Sequence, residues 1–368
     1  MKQQTSAATE TRIKGNTIID FTGKTLYVGI DVHQKDYQVA IVHEDICLGN
    51  HRMPADSKKL IWHLQSRYPG ATLKCVYESS AWGFNLQRQL SAAGIDCIVV
   101  NAADVSTNDK ERRRKTDQVD ALKLARKHAS HDLKAIHVPN KDDQKQRNLI
   151  RLRKRIVNDL NRSKNRLKSL LKYEGIEIPE RFGKANWSNK FLLWVEEQAN
   201  KDFLLQDVLL LMLEQIRGLR QLLLKTEKKV REMMSSEKYN KQSQLLVSIP
   251  GVGPITSALF LLEIGDIKRF SSFDRLNDFV GFCPDTDSSG ETQKDTGITT
   301  RRHKQLRTAL IEAAWVAKNT DPALLEAYVQ LTKRMPGNKA IVRIARKLLR
   351  RMRAVLIGEI SYQKGIVS

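Results

Sequence analysis

The sequence predicts an α/β domain at the N-terminal end, a long helical hairpin in the middle and a mostly helical C-terminal region. Three observations carry this. Between residues 24 and 140, short apolar, β-branched-rich runs alternate with amphipathic segments. From residue 144 to 173 and again from 203 to 234, apolar residues recur at helical spacing among many Lys and Arg. After residue 245 comes an apolar helix end, a Pro-Gly-x-Gly turn and further amphipathic helices.

The first region reads as strands over residues 26–32, 37–43, 73–78 and 97–101, with helices over 57–68 and 82–93. Leu60, Ile61 and Leu64 share one face of the first helix, and Leu86 and Leu90 share one face of the second. Strands that lead into helices imply parallel pairing, while the first two strands are close enough in sequence to form an antiparallel hairpin. Carboxylates then stand at strand ends: Asp31 in the first strand and Glu78 in the third. Neighbouring strands lie about 4.8 Å apart, so the two can serve one site if their strands are adjacent. A further helix is expected over residues 117–128, with Val119, Leu122 and Ala125 towards the core. Its Asp117 and Asp120, three apart, share a face. Acids in a first helical turn also suit the helix dipole without any ligand. The run Arg112, Arg113, Arg114 and Lys115 immediately before them favours the functional reading, because a metal-and-phosphate site gathers cations and carboxylates together.

In the middle region Leu149, Leu152, Ile156, Leu160, Leu167 and Leu170 form one apolar stripe. Val208, Met212, Ile216, Leu219, Leu223, Val230 and Met233 form a second. Joined through residues 175–188, where Pro179, Gly183 and Trp187 interrupt helix, these helices predict an antiparallel coiled-coil hairpin. Its basic face, including Arg151, Arg155, Arg162 and Arg166, either binds nucleic acid or is simply solvated. The segment from Ile249 through Pro250, Gly251, Val252 and Gly253 reads as a helix-hairpin-helix. Gly251 and Gly253 permit close backbone approach, and the amides of the helix that follows can receive a phosphate. Residues 285–302 read as a polar loop containing Ser288 and Ser289, followed by helices over 304–318 and 339–357, the last strongly basic.

Composition names the partner class. Lys plus Arg total 63 against 41 Asp plus Glu, a net charge of +22, which calls for a polyanion. Membrane is the competing polyanion, yet no apolar run approaches the roughly 18–20 residues of a spanning helix. Residues 1–23 are polar and lack the apolar stretch of a secretory signal. Cys47, Cys75, Cys97 and Cys283 are widely spaced without a Cys-x-x-Cys pair, the pattern of reduced thiols in a cytoplasmic protein. No Gly-x-x-x-x-Gly-Lys-Ser/Thr loop occurs, so nucleotide hydrolysis is not expected to drive the chemistry.

Asp31, Glu78, Asp117 and Asp120 form the kind of hard-oxygen quartet that holds Mg²⁺ or Mn²⁺ for phosphodiester cleavage. A serine is foreign to such a quartet. Its presence downstream suggests strand joining through a covalent intermediate rather than hydrolysis alone. A metal-dependent junction nuclease and a non-catalytic nucleic-acid-binding scaffold are the competing readings.

These motifs, in this order and over nearly the whole chain, resemble the IS110-type insertion-sequence transposases. The resemblance rests on Gly29-Ile30-Asp31, Glu78, the segment from Lys115 through Asp117 and Asp120 to Ala121, the coiled-coil middle, the Pro-Gly-Val-Gly turn and Ser288-Ser289-Gly290-Glu291. It implies an RNase H-like, RuvC-like fold over residues 24–140, a coiled-coil region over 141–240 and a transposase domain over 241–368. It also implies a DEDD metal site and a recombinase that excises and inserts its own element, guided by an element-encoded RNA. The family's nucleophile precedes the glycine, which assigns it to Ser289. Where the family has a Lys-x-Gly-Asn-type stretch, this chain departs from the pattern with Thr299 through Arg307, in which Arg301 and Arg302 are candidate nucleic-acid contacts and the residues that bind the scissile phosphate stay open. A homodimer or tetramer is the expected working form, with Ser289 brought to the quartet to make a site built by two domains.

Overall fold

The computed structural model describes residues 21–105, 116–183, 187–289, 292–299 and 302–364. The chain divides into two compact units, Met1–Val138 and Pro139–Ser368.

Unit 1 is built on a five-stranded sheet of order β3-β2-β1-β4-β5. Its strands are β1 Thr25–Val32, β2 Asp36–His43, β3 Ile46–Pro54, β4 Thr72–Glu78 and β5 Asp96–Val100. β1 pairs antiparallel with β2 and parallel with β4, and β4 pairs parallel with β5. Helices α1 Ser57–Arg67 and α2 Asn85–Ala92 give Leu60, Leu64, Leu86 and Leu90 to a core that also holds Leu26, Val28, Ile30, Cys75 and Tyr77. Strand alternation sends the intervening residues to the opposite face. There Ala40 and Val42 meet Ala121 and Ala125 of α3, Asp117–Ala129, and Val76 meets Leu124 of the same helix.

Three sequence expectations change here. β3 was not anticipated; it is an edge strand whose side chains are largely exposed, so it carries no apolar alternation, and its order comes from backbone pairing with β2. The expected helix over 82–93 begins only at Asn85, after a turn through Gly83 with φ of 67°. The face of α3 is also rotated: Ala121, Leu124, Ala125 and His128 are buried, whereas Val119 and Leu122 are only partly so. The reason is Gly29. A Cβ there would stand 2.0 Å from the Ala121 carbonyl oxygen and 2.5 Å from the Ala125 amide nitrogen, so glycine is what allows the helix backbone to rest directly on β1.

In unit 2, α4 Lys141–Tyr173 and α6 Phe203–Met234 form the expected hairpin. Arg153 pairs with Glu227 and Ser163 bonds Gln215, so residue numbers rise on one helix as they fall on the other, and the pair is antiparallel. Between them lies α5, Asn189–Ala199, whose Phe191, Trp194 and Val195 complete the hairpin core with Leu160, Leu167, Leu209 and Ile216. The rest comprises α7 Asn240–Val247, α8 Pro254–Ile264, α9 Phe273–Val280, a ribbon of β6 Pro284–Ser289 with β7 Thr292–Ile298, α10 Lys304–Thr320, α11 Pro322–Thr332 and α12 Gly337–Gly358. The expected polar loop is therefore largely an antiparallel ribbon. Its strands consist mainly of Asp, Thr, Ser, Gln and Lys and lack the apolar alternation that marks a half-buried strand. Cys75 and Cys97 are buried free thiols, whereas Cys47 is exposed and Cys283 half-buried. Among the described residues, no helix is long and apolar enough to cross a membrane.

Candidate functional site: an acidic cluster and a serine ribbon

Parity along the strands builds the first site. Gly29 faces α3, so Asp31, two residues on, lies on the same side of the sheet, and so does His33. On β4, Val76 faces α3 and Glu78 follows at the same parity. The parallel register pairs Gly29 with Val76 and Ile30 with Tyr77, which brings the backbones of Asp31 and Glu78 side by side at the strand ends. Asp117 and Asp120 occupy the first turn of α3, where the Thr116 hydroxyl caps the helix by accepting the Val119 N–H. A second tether fixes this turn: the buried Gln38 amide donates to Asn50 Oδ1 at 2.8 Å, and Asn50 Nδ2 donates to the Gln118 carbonyl at 2.9 Å.

Among the described residues, Asp31, His33 and Asp117 form a group of metal-capable atoms all within 4.8 Å of one another. His33 Nε2 lies 3.1 Å from Asp31 Oδ2 and 3.5 Å from Asp117 Oδ2. Glu78 and Asp120 flank this group without belonging to it, and Asp120 Oδ1 has Lys123 Nζ at 3.5 Å. Burial pushes the Asp31 carboxyl above its ordinary range, Asp117 and Asp120 push it further up, and His33 opposes them. Oxygen donors in this arrangement fit a divalent cation, with Asp31 and Asp117 as the residues that could hold it. Sequence reasoning missed His33, although its spacing of two from Asp31 on an extended strand was the available signal.

Unit 2 holds the serines. Ser289 is the last residue of β6 and pairs with Thr292, and Ser288 pairs with Gln293, so both stand at the tip of the ribbon. Gly290 and Glu291 lie outside the described residues. The ribbon is fastened at its base. Thr299 N–H donates to the Cys283 carbonyl at 3.1 Å, while Arg307 Nη1 donates to the carbonyls of Gly281 and Thr299 at 2.8 and 2.9 Å. Next to it, His303 caps α10 through Nδ1 and turns Nε2 towards Glu263 Oε2 at 3.3 Å. Glu263 is 2 % exposed and also accepts two bonds from Arg151 at 2.8 Å. Burial alone would raise its carboxyl; the hydrogen bonds and charges of His303 and Arg151 outweigh burial and bring it down to about 2.

The nucleic-acid candidates separate accordingly. Arg151 is committed to Glu263, and Arg162 pairs with Asp159 on its own helix. Arg155 and Arg166 are exposed on α4, and Arg302 is exposed near the ribbon. Gly251 has φ of 85° and a Cβ there would meet the Ala313 carbonyl oxygen at 2.4 Å, so it packs the turn against α10 rather than opening it to a ligand. Gly253 has open space around its Cα and caps α8, where no side chain takes the first amides. Arg112, Arg113, Arg114, Lys115 and Arg301 lie outside the described residues.

A mixed sheet with Asp31 and Glu78 at neighbouring strand ends, and Asp117 on the helix packed against it, is an arrangement that a nucleic-acid enzyme can use. Comparison with known proteins narrows this. A family model described as Transposase, for DEDD enzymes of the IS110 type, matches residues 28–174, and the model for the Transposase IS116/IS110/IS902 family matches residues 243–330. The chain belongs to this transposase family, and unit 1 has the α/β fold that the DEDD, RuvC-like resemblance implies. Among relatives, a transposase-like protein, y4qE, of Sinorhizobium fredii is 30% identical over 65% of this chain, and the match spans 57% of that relative's length. The transposase for insertion sequence element IS1533 of Leptospira borgpetersenii is 25% identical over 79% of this chain and 85% of its own. The pilin gene-inverting protein of Moraxella bovis is 22% identical over 88% of this chain and 93% of its own.

Proposed function

We propose that this chain excises and inserts its own insertion sequence through a covalent phosphoserine intermediate. Asp31, Glu78, Asp117 and Asp120 are its divalent-metal residues and Ser289 is its nucleophile. The observation that carries the reading is the convergence of Asp31 and Asp117 from two separate elements onto one group of ligand atoms. A carboxylate crowd of this kind is costly unless a cation neutralises it. Bound Mg²⁺ or Mn²⁺ would supply charge neutralisation at the phosphate and at the leaving oxygen.

The remaining chemistry belongs to the chain. Ser289 Oγ forms a bond to phosphorus as its hydroxyl proton departs, and one P–O bond of the DNA breaks to release a hydroxyl end. The phosphodiester energy is retained in the phosphoserine, so a second DNA hydroxyl can displace Ser289 without ATP. Seating the serine at the tip of a short, base-clamped ribbon suits a nucleophile that must reach a phosphate. The Moraxella relative is a gene-inverting protein, and inversion requires rejoining as well as cutting. That favours a recombinase over a plain nuclease. An element-encoded guide RNA, held with the DNA by basic surfaces including Arg155 and Arg166 and acting in a cytoplasmic dimer or tetramer, is the proposed source of target choice. Trapping tests the reading: end-labelled element DNA should become attached to protein through a denaturation-resistant bond that needs Mg²⁺ or Mn²⁺. Cleavage without any such adduct would replace this reading with the nuclease.

A further inference from the structure

We propose that His33 is itself a ligand of the divalent ion held by Asp31 and Asp117, which makes this a mixed nitrogen and oxygen site with a preference for Mn²⁺ over Mg²⁺. The inference rests on the metal-site reading above and adds an imidazole to the carboxylate set.

The geometry comes first. Adjacent ligand atoms on an octahedral ion with bonds of about 2.1 Å stand about 3.0 Å apart. His33 Nε2 is 3.1 Å from one carboxylate oxygen and 3.5 Å from the other, close to that separation for both. The approach to Asp31 Oδ2 is within hydrogen-bond distance, and the second oxygen, Asp117 Oδ2 at 3.5 Å on a different element, is what places the ring nitrogen between two candidate ligand atoms. The backbone holds it there. His33 N–H donates to the Asp36 carbonyl at 3.0 Å, closing the turn between β1 and β2 and continuing the alternation that put Asp31 on this face. The His33 and Asp117 side chains are 44% and 51% exposed, so the cluster retains an open side for phosphate and water.

Donor chemistry then gives the preference. Mg²⁺ favours oxygen and keeps its water reluctantly exchanged, whereas imidazole nitrogen raises affinity for transition ions, including Mn²⁺. A neutral imidazole protonated on Nδ1 leaves the Nε2 lone pair free for the ion.

The test uses the full-length, untagged protein loaded with less than one equivalent of Mn²⁺ and examined by pulsed electron paramagnetic resonance. The expected result is a histidine nitrogen coupling that changes when the protein carries ¹⁵N-histidine and vanishes in His33→Ala. Titration calorimetry should give Mn²⁺ binding at least about tenfold weaker in His33→Ala, with Mg²⁺ binding much less affected. His33→Gln keeps a hydrogen-bond donor and has no imidazole, so wild-type Mn²⁺ affinity in that variant would overturn the ligand assignment. So would Mn²⁺ that binds the wild type, is lost in Asp31→Asn and carries no nitrogen coupling; the carboxylate site would then stand without His33. Absence of Mn²⁺ binding to the folded wild type would overturn the metal-site reading and the inference together. Circular dichroism on each variant separates these outcomes from loss of fold.

Discussion

Gly29→Ala is the substitution whose consequence follows most directly from the structure. The new methyl would lie 2.0 Å from the Ala121 carbonyl oxygen, where ordinary contact begins near 3.4 Å, so α3 must withdraw by about 1.4 Å. Both obstacles are backbone atoms, which cannot rotate aside. Overpacking typically costs about 1–3 kcal/mol, and this case belongs at about 3 kcal/mol. For a unit of this size that corresponds to a fall in Tm of about 12 °C. Asp117 rides on the first turn of the same helix and moves away from Asp31, so Mn²⁺ affinity should fall by at least about tenfold. Thermal melts with and without Mn²⁺, together with calorimetric titration, measure both effects. Gly218→Ala is the control, because that glycine sits in α6 with nothing within 4 Å; it should stabilise by up to about 1 kcal/mol and leave metal binding alone. Wild-type melting and wild-type Mn²⁺ affinity in Gly29→Ala would refute the argument that this glycine seats the helix and thereby builds the site.

Three further expectations concern unit 2. Glu263 titrates at about 2 in the fold against an ordinary 4.5, so its stabilisation, about 3 kcal/mol, is fully present above pH 4.5 and is lost as pH falls towards 2. Urea unfolding from pH 7 to pH 3 should report that decline, and Glu263→Gln should be less stable at pH 7 and flatter below pH 4.5; an unchanged pH dependence contradicts the network. Replacing both Arg155 and Arg166 by Gln should lower the steepness of log K against log salt for nucleic-acid binding by about 2, while Arg151→Gln should act mainly on stability; equal slopes for wild type and the double variant would mean that α4 is merely solvated. Arg307→Met removes both bonds at the base of the ribbon and should depress adduct yield far more than Tm, with Arg307→Lys partly restoring it; full adduct yield in Arg307→Met would show that the clamp does not position the serine.

How much of this was legible in the sequence depends on which force set each element. Strands β1, β2, β4 and β5 and the helical hairpin announce themselves because burial imposes periodicity on their residues. β3 and the serine ribbon do not, since they are held by backbone pairing and their side chains carry no apolar pattern. The carboxylates were readable from their positions at strand ends and in a first helical turn. His33 was missed although its spacing of two from Asp31 was visible, because a residue just past a strand end carries no apolar pattern to mark which face it takes. The roles of Arg151 and Gly251 were equally hidden. Both have the residue type of a phosphate contact, and only tertiary packing reveals that Glu263 and α10 occupy them.

The central claim is that a serine, not water, attacks the DNA. The measurement is denaturing electrophoresis of end-labelled element DNA after reaction with wild type, Ser288→Ala and Ser289→Ala, followed by mass spectrometry of the labelled peptide. The account predicts an adduct mapped to Ser289, retained in Ser288→Ala and absent from Ser289→Ala even though that variant still binds metal and nucleic acid. Recombination at the wild-type rate by Ser289→Ala, or an adduct mapped to any other residue, would contradict it.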